Sequence, residues 1–89
     1  MKHVRIRVTG VVQGVFFRVS TRDAAKKLGI VGSVRNEPDG SVSIEAQGDP
    51  KKVDEFVGWC HKGPPRASVA QVHVHEAPLG DFPDFEVSG

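Results

Sequence analysis

Apolar side chains recur along this chain at two spacings, and the switches between them divide it into elements. Over residues 3–11 the spacing is two. Val4, Ile6 and Val8 share one face and Arg5, Arg7 and Thr9 the other, which predicts a strand with one buried side. From 17 to 28 the spacing becomes helical, with Phe17, Thr21, Ala24 and Leu28 on one stripe, Arg22, Asp23, Lys26 and Lys27 outside it, and Gly29 as the stop. Residues 31–36 and 41–47 alternate again, the second with Val42, Ile44 and Ala46 on one face, and Pro38-Asp39-Gly40 between them is a reversing turn. Asp49-Pro50 then joins an N-cap to a proline suited to the first helical position. Val53, Phe56, Val57 and Cys60 make a second apolar stripe, ended by Gly63-Pro64-Pro65. Residues 68–76 alternate with Ala70, Val72 and Val74 on one face, 78–83 read as a loop, and 85–87 as a short last strand.

The order β-α-β-β-α-β, with a short terminal strand added, predicts an α+β fold of the split, ferredoxin-like type. In such an α/β sandwich both helices cover one face of an antiparallel sheet. The 89 residues make one expected domain, 1–89, without an internal repeat, a linker or a low-complexity segment.

Composition narrows the partners. With 38% apolar and 26% charged residues the chain belongs with globular rather than disordered sequences. A net charge of +1 offers no long-range attraction to nucleic acid or to a membrane, and no stretch reaches bilayer-spanning length. Lys26-Lys27 and Lys51-Lys52 have Asp23, Asp54 and Glu55 as neighbours, so they read as solvated helix faces. A nucleic-acid module on this fold would stack bases on aromatic residues of its central strands, and 41–47 has none. The single cysteine, Cys60, excludes an intrachain disulfide and sits on an apolar stripe, as a buried structural thiol would. With no signal-peptide apolar block at the start, the expectation is a cytoplasmic protein, acting as a monomer. His73 and His75, two apart on a strand, are too few to hold a metal, which takes three or four ligands, so no metal site is expected. His3 and His61 have no partner that the sequence identifies.

The chemistry concentrates in Gly10-Val11-Val12-Gln13-Gly14-Val15-Phe16-Phe17-Arg18, where a strand gives way to a helix. Gly14 lets the backbone turn and lets a ligand approach the main chain. The amides that follow open a helix, whose partial positive charge favours an anion. Arg18 adds a permanently charged planar fork matched to two phosphate oxygens. One short loop thus offers an anion site the size of a phosphate.

This stretch closely resembles the first signature of the acylphosphatase family, in the order Gly-x-Val-Gln-Gly-Val-x-Phe-Arg. Gly32-Ser33-Val34-Arg35-Asn36-Glu37-Pro38-Asp39-Gly40-Ser41-Val42, followed by Gly48, resembles its second. The resemblance extends over essentially the whole chain. It implies hydrolysis of a carboxyl–phosphate bond in a small acyl phosphate, without cofactor or metal. On the matching positions, Gln13, Gly14, Val15, Phe16, Phe17 and Arg18 become the loop that holds the substrate phosphate. Arg18 becomes the arginine that binds it, and Asn36 the asparagine that positions the attacking water. The resemblance also implies that the substrate's own phosphate takes the water's proton. Ser33 departs from the pattern, where an aromatic residue commonly follows the glycine. Alternation puts Ser33 on the sheet face opposite Gly32 and Asn36, so the change bears on packing rather than on chemistry.

The chemistry agrees on independent grounds. Charge in a phosphoryl-transfer transition state spreads over equatorial oxygens, so preorganised donors and positioning carry most of the catalysis. Asparagine is no useful base near neutral pH, but its amide can hold a water in line for attack. A departing carboxylate has a conjugate-acid pKa of about 4 and needs no general acid. An alkyl phosphate would expel a far more basic alkoxide, and neither motif supplies an obvious carboxylic acid or histidine to protonate it. A non-catalytic domain that binds phosphate or carbamoyl phosphate for regulation is the competing reading, because a fold does not dictate a function.

Overall fold

In the computed structural model, which describes residues 1–88, seven elements follow one another. They are β1 (Lys2–Val11), α1 (Phe17–Lys27), β2 (Val31–Asn36), β3 (Val42–Gly48), α2 (Pro50–Lys62), β4 (Ser68–Ala77) and β5 (Phe85–Ser88). The strands form one sheet in the order β4-β1-β3-β2-β5. Its central pairs are antiparallel, with Ile6 opposite Ile44 and Val34 opposite Ile44 on the other side. The sheet is mixed rather than purely antiparallel, because β5 runs parallel to β2. That direction follows from the path of the chain. Residues 78–84 carry it from one sheet edge to the other at the end where β1 begins, so β5 must set out from that end. The C-terminal ends of β1, β2 and β5 consequently point the same way.

Both helices lie on one sheet face and bury the alternating positions read from the sequence. Val4, Ile6, Val8, Val34, Val42 and Ile44 are buried, and Phe17, Phe56 and Cys60 cover them from the helices. On α1 the fully buried line is Phe17, Thr21 and Ala25, with Ala24 and Leu28 only partly covered at its flank. The buried hydroxyl of Thr21 donates to the Phe17 carbonyl at 2.7 Å, so it brings no unpaired polar group into the core. Gly29, at φ 68°, closes α1: its own amide donates to Lys26 and that of Ile30 to Ala25. Asp49 caps α2 through the Lys52 amide, with Pro50 in the first turn, as expected.

On β4 the predicted face is only partly realised. The register against β1 shifts between Thr9 and Gly10, so that Gly10 faces Val69 and Ala70 is the extra residue of a bulge. Val69 and Val72 are half-buried, whereas Ala70 and Val74 are exposed. A Cβ on Gly10 would stand 2.2 Å from the Ser68 carbonyl oxygen, so the bulge requires glycine there.

The open sheet face carries paired charges. Arg5 bonds Glu45, and Arg7 pairs with Asp39. His3 is buried under residues 78–82: its Nδ1 donates to the Pro78 carbonyl, its Nε2 lies 2.7 Å from Glu45 Oε1, and Phe82 meets the ring edge-on. Ser33 lines a groove on this face together with Phe82. His73 contacts Gln71, and among the described residues no three of His, Cys, Asp and Glu are grouped to hold a metal ion. No helix among them is long and apolar enough to cross a membrane.

The β2–β3 turn is held by Asp39, whose Oδ1 accepts from the Ser41 amide at 2.9 Å and from the Ser41 hydroxyl at 2.6 Å. These bonds and the neighbouring Arg7 lower its pKa from 3.8 to about 2. A carboxyl lowered on folding adds stability above its unfolded value and surrenders it as pH falls through the folded one. Replacing Asp39 by Asn is therefore expected to flatten the dependence of stability on pH between 3.8 and about 2, read from urea unfolding at stepped pH. An unchanged profile would contradict this account of the turn. Burial raises the Cys60 thiol to about 12, which removes its thiolate at neutral pH. Cys60→Ser is expected to cost about 1–3 kcal/mol of stability through an unsatisfied buried hydroxyl, with turnover retained. Loss of turnover in the folded variant would contradict it.

Candidate active site

Where β1, β2 and β5 end, a pocket is lined by Val12, Gly14, Phe16, Phe17, Arg18, Val19 and Asn36. The fold brings the two sequence motifs together at this edge, one from the loop after β1 and the other from the last residue of β2.

The loop is shaped by two residues with positive φ. Gly14 has φ 72°, a conformation that glycine adopts without strain. Phe16, at φ 63° and ψ 23°, is the sole non-glycine residue with positive φ among those described, and such a conformation costs about 1–3 kcal/mol. Phe16 is also the N-cap of α1, yet it makes no side-chain cap, and the first helical turn contains no acidic residue. The helix therefore begins with its positive dipole end unscreened by any capping side chain, and with Arg18 in that same turn. A cation at this end is electrostatically unfavourable by itself. The combination concentrates positive potential on one spot, as an anion site requires.

Arg18 does not hang free. Its Nη1 donates to the carbonyl of Ser88 at 3.2 Å, so the last strand restrains the guanidinium. At the end of β2, Asn36 Oδ1 is buried with no hydrogen-bond partner among the described residues. An unsatisfied buried acceptor costs about 1–3 kcal/mol and calls for an explanation.

Not every residue of the loop faces the pocket. Val15 packs against the core, and Phe17 is buried with its ring 5.6 Å from that of Trp59, although Phe17 also floors the pocket. The Gln13 side chain turns away. Its Nε2 donates to the Glu37 carbonyl at 2.8 Å and to the Ser41 carbonyl at 2.9 Å. Gln13 thereby ties the loop to the turn that follows Asn36. The carboxylates of the second motif are engaged elsewhere: Glu37 accepts from Arg35 and Ser43, and Asp39 from Ser41. Among the described residues, no carboxylate or imidazole lines the pocket.

Three contributors escape sequence reasoning: the side chain of Gln13 as a tie, Ser88 as the restraint on Arg18, and Val19 in the pocket wall. Only Val19 carries a local signal. It follows Arg18 in the first turn of an amphipathic helix, off the buried stripe, as an apolar residue with no core to join. The Gln13 and Ser88 contacts link residues 24 to 70 positions apart.

The chain is similar to known proteins along nearly its whole length. The acylphosphatase family pattern matches residues 4–87. The acylphosphatase of Rubrobacter xylanophilus is 54% identical over 87 residues, covering 97% of this chain and 79% of that one. That of Methylococcus capsulatus is 47% identical, over 98% of this chain and 96% of its own. The crystal structure of acylphosphatase from Bacillus subtilis superimposes with a TM-score of 0.97 at 34% identity, over 100% of both chains. From the match along nearly its whole length, the chain belongs to the acylphosphatase family.

Proposed function

We propose that this protein hydrolyses the carboxyl–phosphate bond of small acyl phosphates, releasing a carboxylate and inorganic phosphate. The observation that carries the reading is the pairing, in one pocket, of an uncapped helix N-terminus bearing Arg18 with the side-chain amide of Asn36. The first suits a phosphoryl group, the second a water.

In this mechanism the backbone amides from Gln13 to Phe17 and the Arg18 guanidinium hold the non-bridging phosphoryl oxygens. They are already oriented, so the charge that spreads over those oxygens in the transition state is met without reorganisation. The side-chain amide of Asn36 holds a water for in-line attack on phosphorus, replacing a diffusive encounter by a bound one. The P–O bond to the acyl group breaks as the new one forms, and the electron pair leaves with the carboxylate. That leaving group, with a conjugate-acid pKa of about 4, departs unprotonated. The water's proton passes to a phosphoryl oxygen, in keeping with a pocket whose described lining holds no carboxylate or imidazole. The whole chain, residues 1–89, is taken as one domain that works as a monomer, with no cofactor, in a reducing compartment such as the cytoplasm, where an unpaired thiol persists.

Turnover of benzoyl phosphate beside a simple alkyl phosphate, in the presence of chelator, tests the reading. The protein is expected to cleave the anhydride alone. Asn36→Ala should lower kcat by about 10²- to 10³-fold while inorganic phosphate still inhibits. Arg18→Ala should lose both turnover and phosphate inhibition. Normal activity in either folded variant would refute the assigned roles, and phosphate binding without any turnover by the unaltered protein would select the regulatory binding domain instead.

A further inference from the structure

Gln13 stands in the loop after β1, yet its side chain leaves the pocket. Both protons of Nε2 go to the segment after β2, at 2.8 Å from the Glu37 carbonyl and 2.9 Å from that of Ser41. The place of these acceptors in the sheet gives the contact its meaning. β3 joins β1 to β2, and its pairing with both ends at one row, Val8–Val42–Asn36. One residue further on, Glu37 and Ser41 close the hairpin, the Glu37 amide donating to the Ser41 carbonyl at 2.8 Å. Gln13 lies five residues past Val8, beyond the last rung that β1 shares with β3. Its amide extends the link between the strands to that next row.

The two pieces it joins are each held from elsewhere. In the hairpin, the Gly40 amide donates to the Glu37 carbonyl, Asp39 accepts from the Ser41 amide and hydroxyl, and the Glu37 carboxylate accepts from Arg35 and Ser43. On the loop side, Val15 and Phe17 pack into the core. Their relative placement decides where a water at Asn36, the residue before Glu37, stands against a phosphoryl group in the loop. We propose that the side chain of Gln13 is a positioning element: its bridge sets the water held by Asn36 in line with phosphorus, while the side chain itself touches neither. The inference rests on the acyl phosphate hydrolysis proposed above and adds a residue to it.

Bridging two carbonyl oxygens from one atom takes two donors, and a primary amide offers them without charge. Asparagine is one methylene too short to keep both bonds. Methionine keeps the length but donates nothing. Glutamate keeps the shape and sets carboxylate oxygens against two carbonyl oxygens. A misplacement of about 1 Å between reacting groups costs about 10²-fold in rate. Anion binding depends on the loop and Arg18, so the effect of the bridge falls on kcat.

The test measures kcat for benzoyl phosphate and inhibition by inorganic phosphate in the unaltered protein, Gln13→Met and Gln13→Glu, each with and without Asn36→Ala. Referring kcat to phosphate-binding sites counted by titration lets a partly unfolded variant still report. Gln13→Met is expected to lower kcat by about 10- to 10²-fold, with the phosphate inhibition constant kept within about 3-fold. Beside Asn36→Ala the same substitution should cost less than about 3-fold, because the water it positions is no longer held. Gln13→Glu should match Gln13→Met near neutral pH and recover part of its kcat as pH falls towards about 4, where a protonated carboxyl donates one of the two bonds. Equal losses with and without Asn36, phosphate inhibition lost in step with turnover, or parallel pH profiles for the two variants would overturn the positioning role and leave the hydrolytic reading intact. Absence of turnover by the unaltered protein would overturn that reading and the positioning role with it.

Discussion

The two protons of Gln13 Nε2, donated to the carbonyls of Glu37 and Ser41, join two segments that reach the pocket from different strands. One segment carries the proposed anion loop and Arg18, the other follows directly on Asn36. Neither strand pairs with the other, since β3 stands between β1 and β2 in the sheet. Without that amide the loop bearing Arg18 would be joined to Asn36 only through the sheet, across β3. The sheet sets the approximate spacing, because β1, β2 and β5 all end at this edge. The side-chain tie fixes what the sheet leaves loose, and Ser88 performs the same service for the guanidinium.

The site is built from local choices that a stability optimum would avoid. A helix without a cap, a cation in its first turn, a phenylalanine at positive φ and a buried acceptor without a described partner all meet at one pocket. Each is unfavourable in the free protein by an amount comparable to a good hydrogen bond. Elsewhere helix ends and buried hydroxyls are satisfied: α1 ends in a closed glycine motif, α2 begins with Asp49 and proline, and the buried Thr21 hydroxyl is bonded. Among the described residues, a non-glycine residue at positive φ and a buried acceptor without a partner occur only here, the pattern expected where structure has been traded for function. An anion relieves two of these defects at once, since its charge offsets both the helix dipole and Arg18.

Legibility in the sequence follows the range of the interactions. The alternation of β1 and β3, the stop at Gly29 and the Asp49-Pro50 helix start depend on neighbours within a few residues, and they are readable. So is the meeting of Arg18 with Asn36, through the two family signatures and the strand order they imply. The bulge opposite Gly10 is not, because nothing in β4 itself marks it. Its only trace is a glycine in the partner strand, and its effect is to turn Val69 inward in place of Ala70. The buried line of α1 passes through Ala25 rather than Ala24, a difference set by how the helix leans on the sheet. The parallel course of β5, the burial of His3 beneath residues 78–82 and the Ser88 contact all come from the long return of the chain across the sheet end. A period of two or of 3.6 says nothing about such a return.

The central claim is chemical: the loop presents phosphorus, and the water held by Asn36 attacks it rather than the acyl carbon. Hydrolysis of benzoyl phosphate in oxygen-18-labelled water, with both products analysed by mass spectrometry, tests this directly. The account predicts that the enzyme-catalysed reaction places the label in inorganic phosphate and leaves benzoate unlabelled. Label appearing in benzoate would mean attack at the carbonyl carbon, and would contradict the parts proposed for Arg18 and Asn36 in the mechanism.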